Sequence, residues 1–320
     1  MNTKKQRFDK SRYTVLIILA GLIVTFSLLT PNFRTWSNMV TILRQVSMVG
    51  IISVGMTFIM ITGGIDLSCG VMMGLVGVTS GVFMTSGGIP MLPAMLLGIL
   101  ICSLVGFVNG MAITYTKMPP LIATLGTMNF VFGLNYTLTK GLPVTGLPAG
   151  IKVIGQGYIG GIMPVSVLIM IVILLIGAFV LNKTYIGRYI YAVGSNDEAA
   201  RLSGVNVNAI RVLVYTVGGA MSGIAGILMM SRLNSGQPIA GKGYEMDVIT
   251  ACVVGGVSTT GGEGNITGMI LGLLIMGVLT NGMAVLGLGE FYQYMVKGIV
   301  LIIAVGFDSH RRHGTVKKKN

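Results

Sequence analysis

The stretch that comes nearest to a chemical motif is GQPIAGKG, residues 236–243. It almost matches the phosphate-binding loop G-x-x-x-x-G-K-[ST], in which backbone amides cradle phosphates, the lysine reaches them and a hydroxyl holds Mg²⁺. Gly243 stands where the hydroxyl is required, and the preceding residues do not have the pattern of a strand. We therefore expect no nucleotide site in this chain, so that ATP and magnesium belong to a partner subunit.

Histidine and cysteine, which often carry nucleophilic or metal chemistry, are poorly placed for either. Both histidines, His310 and His313, lie in the basic C-terminal tail, away from any nucleophile. Cys69, Cys102 and Cys252 are far apart in apolar sequence, which favours buried small side chains over a disulfide or a metal site. We expect no catalytic residue, no bound cofactor and no metal in this chain.

A polar island, VGSNDEAARLSGVNVNAIR at residues 193–211, interrupts otherwise apolar sequence. Ser195 is followed three residues later by Glu198, a spacing typical of a capping box, which predicts that a helix begins there. Gly204 can supply the left-handed residue that ends a helix. The island is therefore expected to hold a short helix near 196–203.

Charged residues of this helix are spaced for contact. Asp197 and Arg201 are four residues apart, so they are expected to pair on one face. A helix this short is not stable alone and must dock on something. It is either an ordinary solvated loop helix or an element that a cytoplasmic partner contacts.

The segment GGIDLS, residues 63–68, places a carboxylate where an apolar span would start. Asp66 or Ser68 could cap the exposed amides of that helix. Acids at membrane depth are otherwise usually functional or paired, so Gly64, Asp66 and Ser68 could instead line or gate a pathway. Both roles remain open from the sequence.

Further polar side chains fall inside apolar runs. Asn109, Asn129 and Asn281 could offer hydrogen bonds to a passing solute or could join one helix to another. Lys297 is expected to snorkel or to pair with an acid. Aromatic residues make up only 7% of the chain and form no cluster that would stack on a sugar. A pathway through this protein would therefore recognise its solute weakly.

The composition of the chain indicates that most of these residues lie in a membrane rather than in water. The chain is 53% hydrophobic and 10% charged, with a mean hydropathy of +0.84, whereas soluble domains carry about 25% charged residues. Glycine, 48 of 320 residues, recurs at four-residue spacing in apolar runs, as at Gly106 and Gly110, which predicts close helix packing. The net charge of +13 is concentrated in tails and loops, which favours membrane topology over nucleic-acid binding.

We predict an all-α polytopic membrane protein, one transmembrane domain over 1–320, with about ten spans of nearly 20 apolar residues. The expected spans are 13–30, 40–61, 67–86, 91–114, 119–138, 164–182, 210–231, 245–258, 265–288 and 291–308.

The distribution of basic residues predicts the orientation. With the N-terminus inside, fifteen Lys and Arg residues fall in cytoplasmic segments and six on the opposite side, as the positive-inside rule requires. Cytoplasmic tails are then expected at 1–12 and 309–320, and a cytoplasmic loop at 183–210. Spans 2–5 and 7–10 run in opposite directions, which indicates two inverted-repeat halves.

Four stretches together resemble one known family. GRYIYAVGSNDEAARLSGVNV, residues 187–207, resembles the coupling loop of the ribose-type sugar permeases of bacterial ABC importers. The same family is resembled, in the same order along the chain, by GMTFIMITGGIDLSCG at 55–70, GQPIAGKGYEMDVITACVVGGVSTTGGEG at 236–264 and FYQYMVKGIVLIIAV at 291–305. The likeness spans nearly the whole chain.

The resemblance implies an ABC importer permease fold and a loop that docks into a groove of the ATP-binding subunit. By this resemblance, the segment that contacts the ATPase, here called the coupling segment, consists of ten residues, namely Ser195, Asn196, Asp197, Glu198, Ala199, Ala200, Arg201, Leu202, Ser203 and Gly204. It also implies a second copy of the chain, a cytoplasmic ATPase pair, an extracytoplasmic sugar-binding protein and a place in the bacterial inner membrane.

Ribose is the expected sugar, and xylose, galactose, allose and autoinducer-2 are the alternatives. A different class, the secondary carrier, would need ionisable residues within the spans for ion coupling. The nearest ones are Asp66, Glu245, Asp247, Glu290 and Lys297, and only Lys297 lies away from a span end. The sequence therefore favours an ATP-driven importer.

Overall fold

The computed structural model describes the backbone of residues 2–316 and the side chains of residues 13–307. The predicted tails at 1–12 and 309–320, with both histidines, lie outside the residues whose side chains are described. The helices in the described part are α1 (Asn2–Leu29), α2 (Trp36–Ile61), α3 (Cys69–Thr85), α4 (Met91–Tyr115), α5 (Pro120–Thr139), α6 (Lys152–Gln156), α7 (Val165–Lys183), α8 (Tyr185–Ser195), α9 (Asp197–Leu202), α10 (Val207–Leu233), α11 (Tyr244–Val254), α12 (Ile266–Val285) and α13 (Glu290–Val316). Two-residue strands at Tyr158–Ile159 and Met163–Pro164 pair as an antiparallel hairpin.

The chain is an all-α, multi-pass membrane protein. Within the described residues, seven helices are long and apolar enough to cross a membrane, namely α2, α4, α5, α7, α10, α12 and the Glu290–Phe307 part of α13. The three remaining predicted spans also coincide with helical segments, but these are shorter: Tyr13–Leu29 of α1, α3 and α11. Helix α11 has 11 residues, or roughly 17 Å at 1.5 Å per residue. It ends early because Gly255 follows it and Gly256 adopts a left-handed φ of +82°.

Helix α2 is the axis of the fold. It packs against α7, α10, α11 and α12, and 83% of the residues in its most apolar stretch are buried. Its hydroxyl groups are satisfied within the helix, because Ser53 donates to the carbonyl oxygen of Val49 at 2.8 Å and Thr57 to that of Ser53 at 2.7 Å. These two hydroxyl groups therefore need no partner on a neighbouring helix.

Glycine brings α4 and α10 into backbone contact, as the spacing of Gly106 and Gly110 predicted. A Cβ at Gly106 would overlap the carbonyl oxygen of Tyr215, and a Cβ at Gly219 would overlap that of Cys102. Without an apolar driving force between helices in lipid, such close approach supplies the packing energy. The three cysteines are buried, as expected.

Candidate functional site

The polar island contains the end of α8, all of α9 and the start of α10, rather than one helix in a loop. Thr184 caps α8 by accepting from the amide of Gly187 at 3.3 Å, and that helix continues through Ser195 because Ile190 and Val193 are buried. Ser195 is thus not an N-cap, and the predicted capping box is wrong. Its hydroxyl donates to the carbonyl oxygen of Tyr191 at 2.8 Å.

Asn196 caps α9 instead. Its Oδ1 accepts from the amide of Ala199 at 3.0 Å, which satisfies one of the free amides of the first turn. Gly204, with a φ of +81°, follows the helix and donates its amide to the carbonyl oxygen of Arg201 at 2.9 Å. The predicted helix near 196–203 and its glycine stop are confirmed.

The charge pairing also differs from the prediction. Asp197 forms its ion pair with Arg211, in the second turn of α10, rather than with Arg201. Arg201 donates to Oδ1 of Asn208 at 2.9 Å. The start of α10 lies beside α9, so Asp197 and Arg201 each find a partner across the turn instead of along the helix.

One face of α9 is left open. Ala200 is buried against the protein, whereas Glu198, Ala199 and Arg201 are exposed. Leu202 is 85% exposed, which is unusual for a large apolar side chain at the end of a short polar helix. Leu202 was predicted only as one member of the coupling segment, although an apolar residue within a polar segment is a signal of its own.

The base of the coupling segment is joined to two other parts of the chain. A Cβ at Gly194 would overlap the carbonyl oxygen of Ile61, the last residue of α2. That oxygen accepts from the amide of Gly262 at 2.8 Å, and Tyr191 donates to the carbonyl oxygen of Gly264 at 2.7 Å. Burial raises the pKa of Tyr191, so this hydroxyl stays protonated and able to donate. We call this contact of three segments the α2–α8 joint.

Directly after the joint, the GGIDLS break holds a buried hydrogen-bond chain. Oδ1 of Asp66 accepts from the amide of Ser68 at 2.8 Å and from its hydroxyl at 2.6 Å. Asn109 of α4 donates to Oγ of Ser68 at 3.0 Å, and Thr127 of α5 donates to Oδ1 of Asn109 at 2.6 Å. Asp66 and Ser68 are fully buried. The chain therefore fixes α3, α4 and α5 to one another.

The six predicted pathway residues do not form one group. Gly64 lies beside Asp66, Ser68 and Asn109. A Cβ at Gly64 would overlap the Tyr215 hydroxyl, which donates to the carbonyl oxygen of Ile65 at 3.3 Å. The other two predicted residues, Asn129 and Asn281, lie apart from this group.

The two separate asparagines have different contacts. Asn129 is exposed and donates to the carbonyl oxygen of Leu125 in its own helix. Asn281 exchanges two hydrogen bonds of 2.9 Å with Asn38, which joins α12 to α2. Asn281 thus has the helix-joining contact that was one of its two predicted roles. Asn38, Thr127 and Tyr215 were not predicted as partners, since each bonds to a residue outside its own helix.

The acids at the start of α11 have partners as well. Asp247 accepts from Nζ of Lys297 on α13 at 2.8 Å, which confirms the pairing expected of that lysine. Glu245 accepts from the amide of Gly243 at 3.0 Å. Both acids are buried. The pair therefore links α11 to α13 in the apolar part of the protein.

Asp66→Ala is expected to lower the stability of the purified protein by about 1–3 kcal/mol, because the amide and hydroxyl of Ser68 would be left buried without an acceptor. Asp66→Asn keeps the Oδ1 acceptor and is expected to stay close to wild type. Thermal unfolding in detergent measures both, and sugar flux is then measured on the folded variants. Normal stability with reduced flux in the alanine variant would contradict the structural role and support a gate.

Comparison with known proteins agrees with this architecture. Residues 38–305 match the model of a family described as branched-chain amino acid transport system, permease component. The chain is 44% identical to the ribose import permease protein of Bacillus subtilis (strain 168), covering 90% of this chain and 89% of that protein. It is 39% identical to the ribose import permease protein of Haemophilus influenzae, covering 97% and 98%, and 38% identical to the L-arabinose transport system permease protein of Escherichia coli (strain K12), covering 94% and 91%. No solved structure matches. The chain therefore belongs to this family of transport-system permease components.

Proposed function

We propose that this protein is the membrane-spanning subunit of an ATP-driven bacterial importer for ribose. Two copies line one path through the inner membrane, a cytoplasmic ATPase pair docks on the coupling segments, and an extracytoplasmic binding protein delivers the sugar. This chain itself has no part in hydrolysing ATP. The observation that carries the proposal is the coupling segment, whose tip exposes Leu202 while its base is fixed to the end of α2.

The arrangement of loops supports the proposed orientation. Residues 61–64, 114–118, 194–211 and 261–264 lie together at one end of the helices. The basic-residue distribution predicts that each of these segments is cytoplasmic. An ATPase that contacts α9 would therefore reach all four of them from one side.

Helix packing supports ten membrane-embedded segments in two inverted halves. Helix α10 packs on α3 and α4, and α2 packs on α11 and α12 in the same way. The shorter helices α3 and α11 occupy corresponding places, one after the Asp66 break and the other opening with Glu245 and Asp247. Short helices in matching positions of two halves are typical of transporters with inverted repeats.

Transport by the reconstituted complex tests the sugar. Vesicles that contain the permease and its ATPase, supplied with the binding protein, are expected to accumulate labelled ribose only when ATP is present on the ATPase side. The similarity to an arabinose permease makes L-arabinose the second candidate. Excess unlabelled ribose should abolish uptake of labelled ribose, and excess L-arabinose should leave it largely unchanged. The reverse result would replace ribose by arabinose in the proposal.

Leu202→Asp is expected to weaken association with the ATPase about tenfold or more, since one apolar anchor at an interface centre often contributes above 1.4 kcal/mol. Co-purification of the two subunits and ATP-driven uptake measure the effect. Leu142→Asp is the matched control, because Leu142 is 68% exposed in the loop after α5, at the opposite end of the molecule. Equal co-purification of the ATPase with both variants would contradict docking at α9.

A further inference from the structure

A cavity of about 420 Å³ opens beside the coupling segment, on the face that the proposed ATPase would contact. Its walls come from the Gly63–Gly64 break, the connection between α4 and α5, helix α9 and the start of α10. The volume lies within the range of about 300–1,000 Å³ that is usual for small-molecule sites. The cavity can therefore hold a metabolite-sized ligand.

The charges in the wall favour an anion. Three basic residues line the cavity, Lys117, Arg201 and Arg211, and Asp197 is the one acid among its lining residues. Arg211 is bound to Asp197, and one nitrogen of Arg201 donates to Asn208. A guanidinium has five N–H donors, so both arginines keep further donors for a ligand. The wall has an excess of two positive charges.

Two further features of the same wall are typical of a binding site. Lys117 has a left-handed backbone with a φ of +56°, a conformation that residues with side chains seldom adopt. Strain of this kind is concentrated at functional sites. The buried hydroxyl of Thr114, another lining residue, has no hydrogen-bond partner among the described residues. A ligand with several acceptor oxygens would satisfy both the charges and the free donors.

We propose that this cavity is a binding site for a phosphoryl anion on the cytoplasmic side of the membrane. Lys117 and Arg201 would contact the phosphoryl oxygens through charge-assisted hydrogen bonds. Two sources share this chemistry, a soluble phosphorylated sugar and the headgroup of an anionic lipid. The identity of the bound compound depends on the proposed cytoplasmic orientation. Phosphate binding by the purified protein does not depend on it.

The site offers a route by which an anion could act on transport. The cavity contacts Asp197 and Arg201 of the coupling segment on one side and Gly64, two residues before Asp66, on the other. A bound anion would hold these segments together and would oppose the movement of α9 relative to the end of α2. Occupancy is therefore expected to slow ATP-driven uptake.

Binding is tested on the purified full-length permease in a neutral detergent, with inorganic phosphate as the probe and titration calorimetry as the measurement. Lys117→Gln is expected to weaken phosphate binding about tenfold by removing one charge-assisted contact. Glutamine, like lysine, has a Cβ, so the substitution leaves the strain of the left-handed backbone at position 117 unchanged. Arg188→Gln is the control, because Arg188 stacks on Tyr185 in the same cytoplasmic loop but does not line the cavity. Absence of phosphate binding, or equal weakening in both variants, would overturn the site.

Competition separates the two sources. Ribose 5-phosphate and a short-chain phosphatidylglycerol are each titrated against bound phosphate, and each is repeated with Lys117→Gln. If either compound displaces phosphate, and Lys117→Gln weakens that displacement, the phosphoryl site is supported and its ligand is identified. If neither compound displaces phosphate, the proposal is overturned. Uptake by the reconstituted complex is then measured with the effective compound on the ATPase side, where wild type should slow and Lys117→Gln should not. If the reconstituted complex takes up no ribose even without an added anion, the proposed transport function is contradicted and the anion site is judged by phosphate binding alone.

Discussion

Gly194→Ala is expected to abolish coupled transport and to reduce the stability of the purified protein by about 3 kcal/mol or more. The new Cβ would overlap the carbonyl oxygen of Ile61 and lie 2.7 Å from the amide nitrogen of Gly262. Both are backbone atoms, so no flexible side chain can move aside, and overpacking of this kind costs at the upper end of its usual range. The α2–α8 joint would have to open. ATP-driven uptake and unfolding in detergent measure the two effects.

The control for that substitution is Gly21→Ala. Gly21 lies inside α1, and a Cβ there would meet nothing within 4 Å. Because alanine is the better helix former, this variant is expected to be as stable as wild type or slightly more so. Full uptake by Gly194→Ala, at wild-type stability, would show that the joint does not transmit movement from the coupling segment.

Lys297→Met is expected to destabilise the protein by about 3–5 kcal/mol, because it leaves a buried carboxylate without its counter-ion. The side chains of Lys297 and Asp247 are 13% and 12% exposed, and Oδ1 of Asp247 already has no partner among the described residues. Replacing both residues, as Lys297→Met with Asp247→Leu, is expected to recover most of the loss, since an apolar pair needs no compensation. Chemical denaturation in detergent measures all three proteins.

Lys152→Met is the comparison for that experiment. Lys152 is exposed at the start of α6, so its substitution is expected to change stability by less than about 0.5 kcal/mol. A double variant as unstable as Lys297→Met would show that the pair is needed for more than charge neutrality. Wild-type stability of Lys297→Met would contradict the ion pair as the link between α11 and α13.

The positions of most helices could be predicted from the apolar runs and from the glycine, proline and polar residues that bound them. The predicted span at 40–61 ends at the same residue as α2, and the predicted span at 265–288 covers all of α12. Length was the weaker part, because hydropathy does not distinguish a short buried helix from a complete crossing. Helix α11 was expected to extend to 258, but the glycine pair at 255–256 ends it.

The site was less predictable because its contacts are non-local. The spacing of Ser195 and Glu198 satisfies a local capping rule, yet burial of Ile190 and Val193 extends the preceding helix through Ser195. Asp197 has a suitable cation four residues away, but the start of the next helix offers Arg211. Rules that consider one helix at a time cannot rank such competing partners.

Helix α2 also has a consequence for how the protein is made. It is the second helix to leave the ribosome, whereas its neighbours α10, α11 and α12 follow at least 145 residues later, after Ile61 and before Val207. During that interval it must wait in lipid, where each unsatisfied polar group costs several kcal/mol. Ser53 and Thr57 bond to carbonyl oxygens of their own helix, so these two hydroxyl groups are satisfied before the later helices are synthesised. The most enclosed membrane-spanning helix among the described residues thus carries hydroxyl groups that do not depend on its later neighbours.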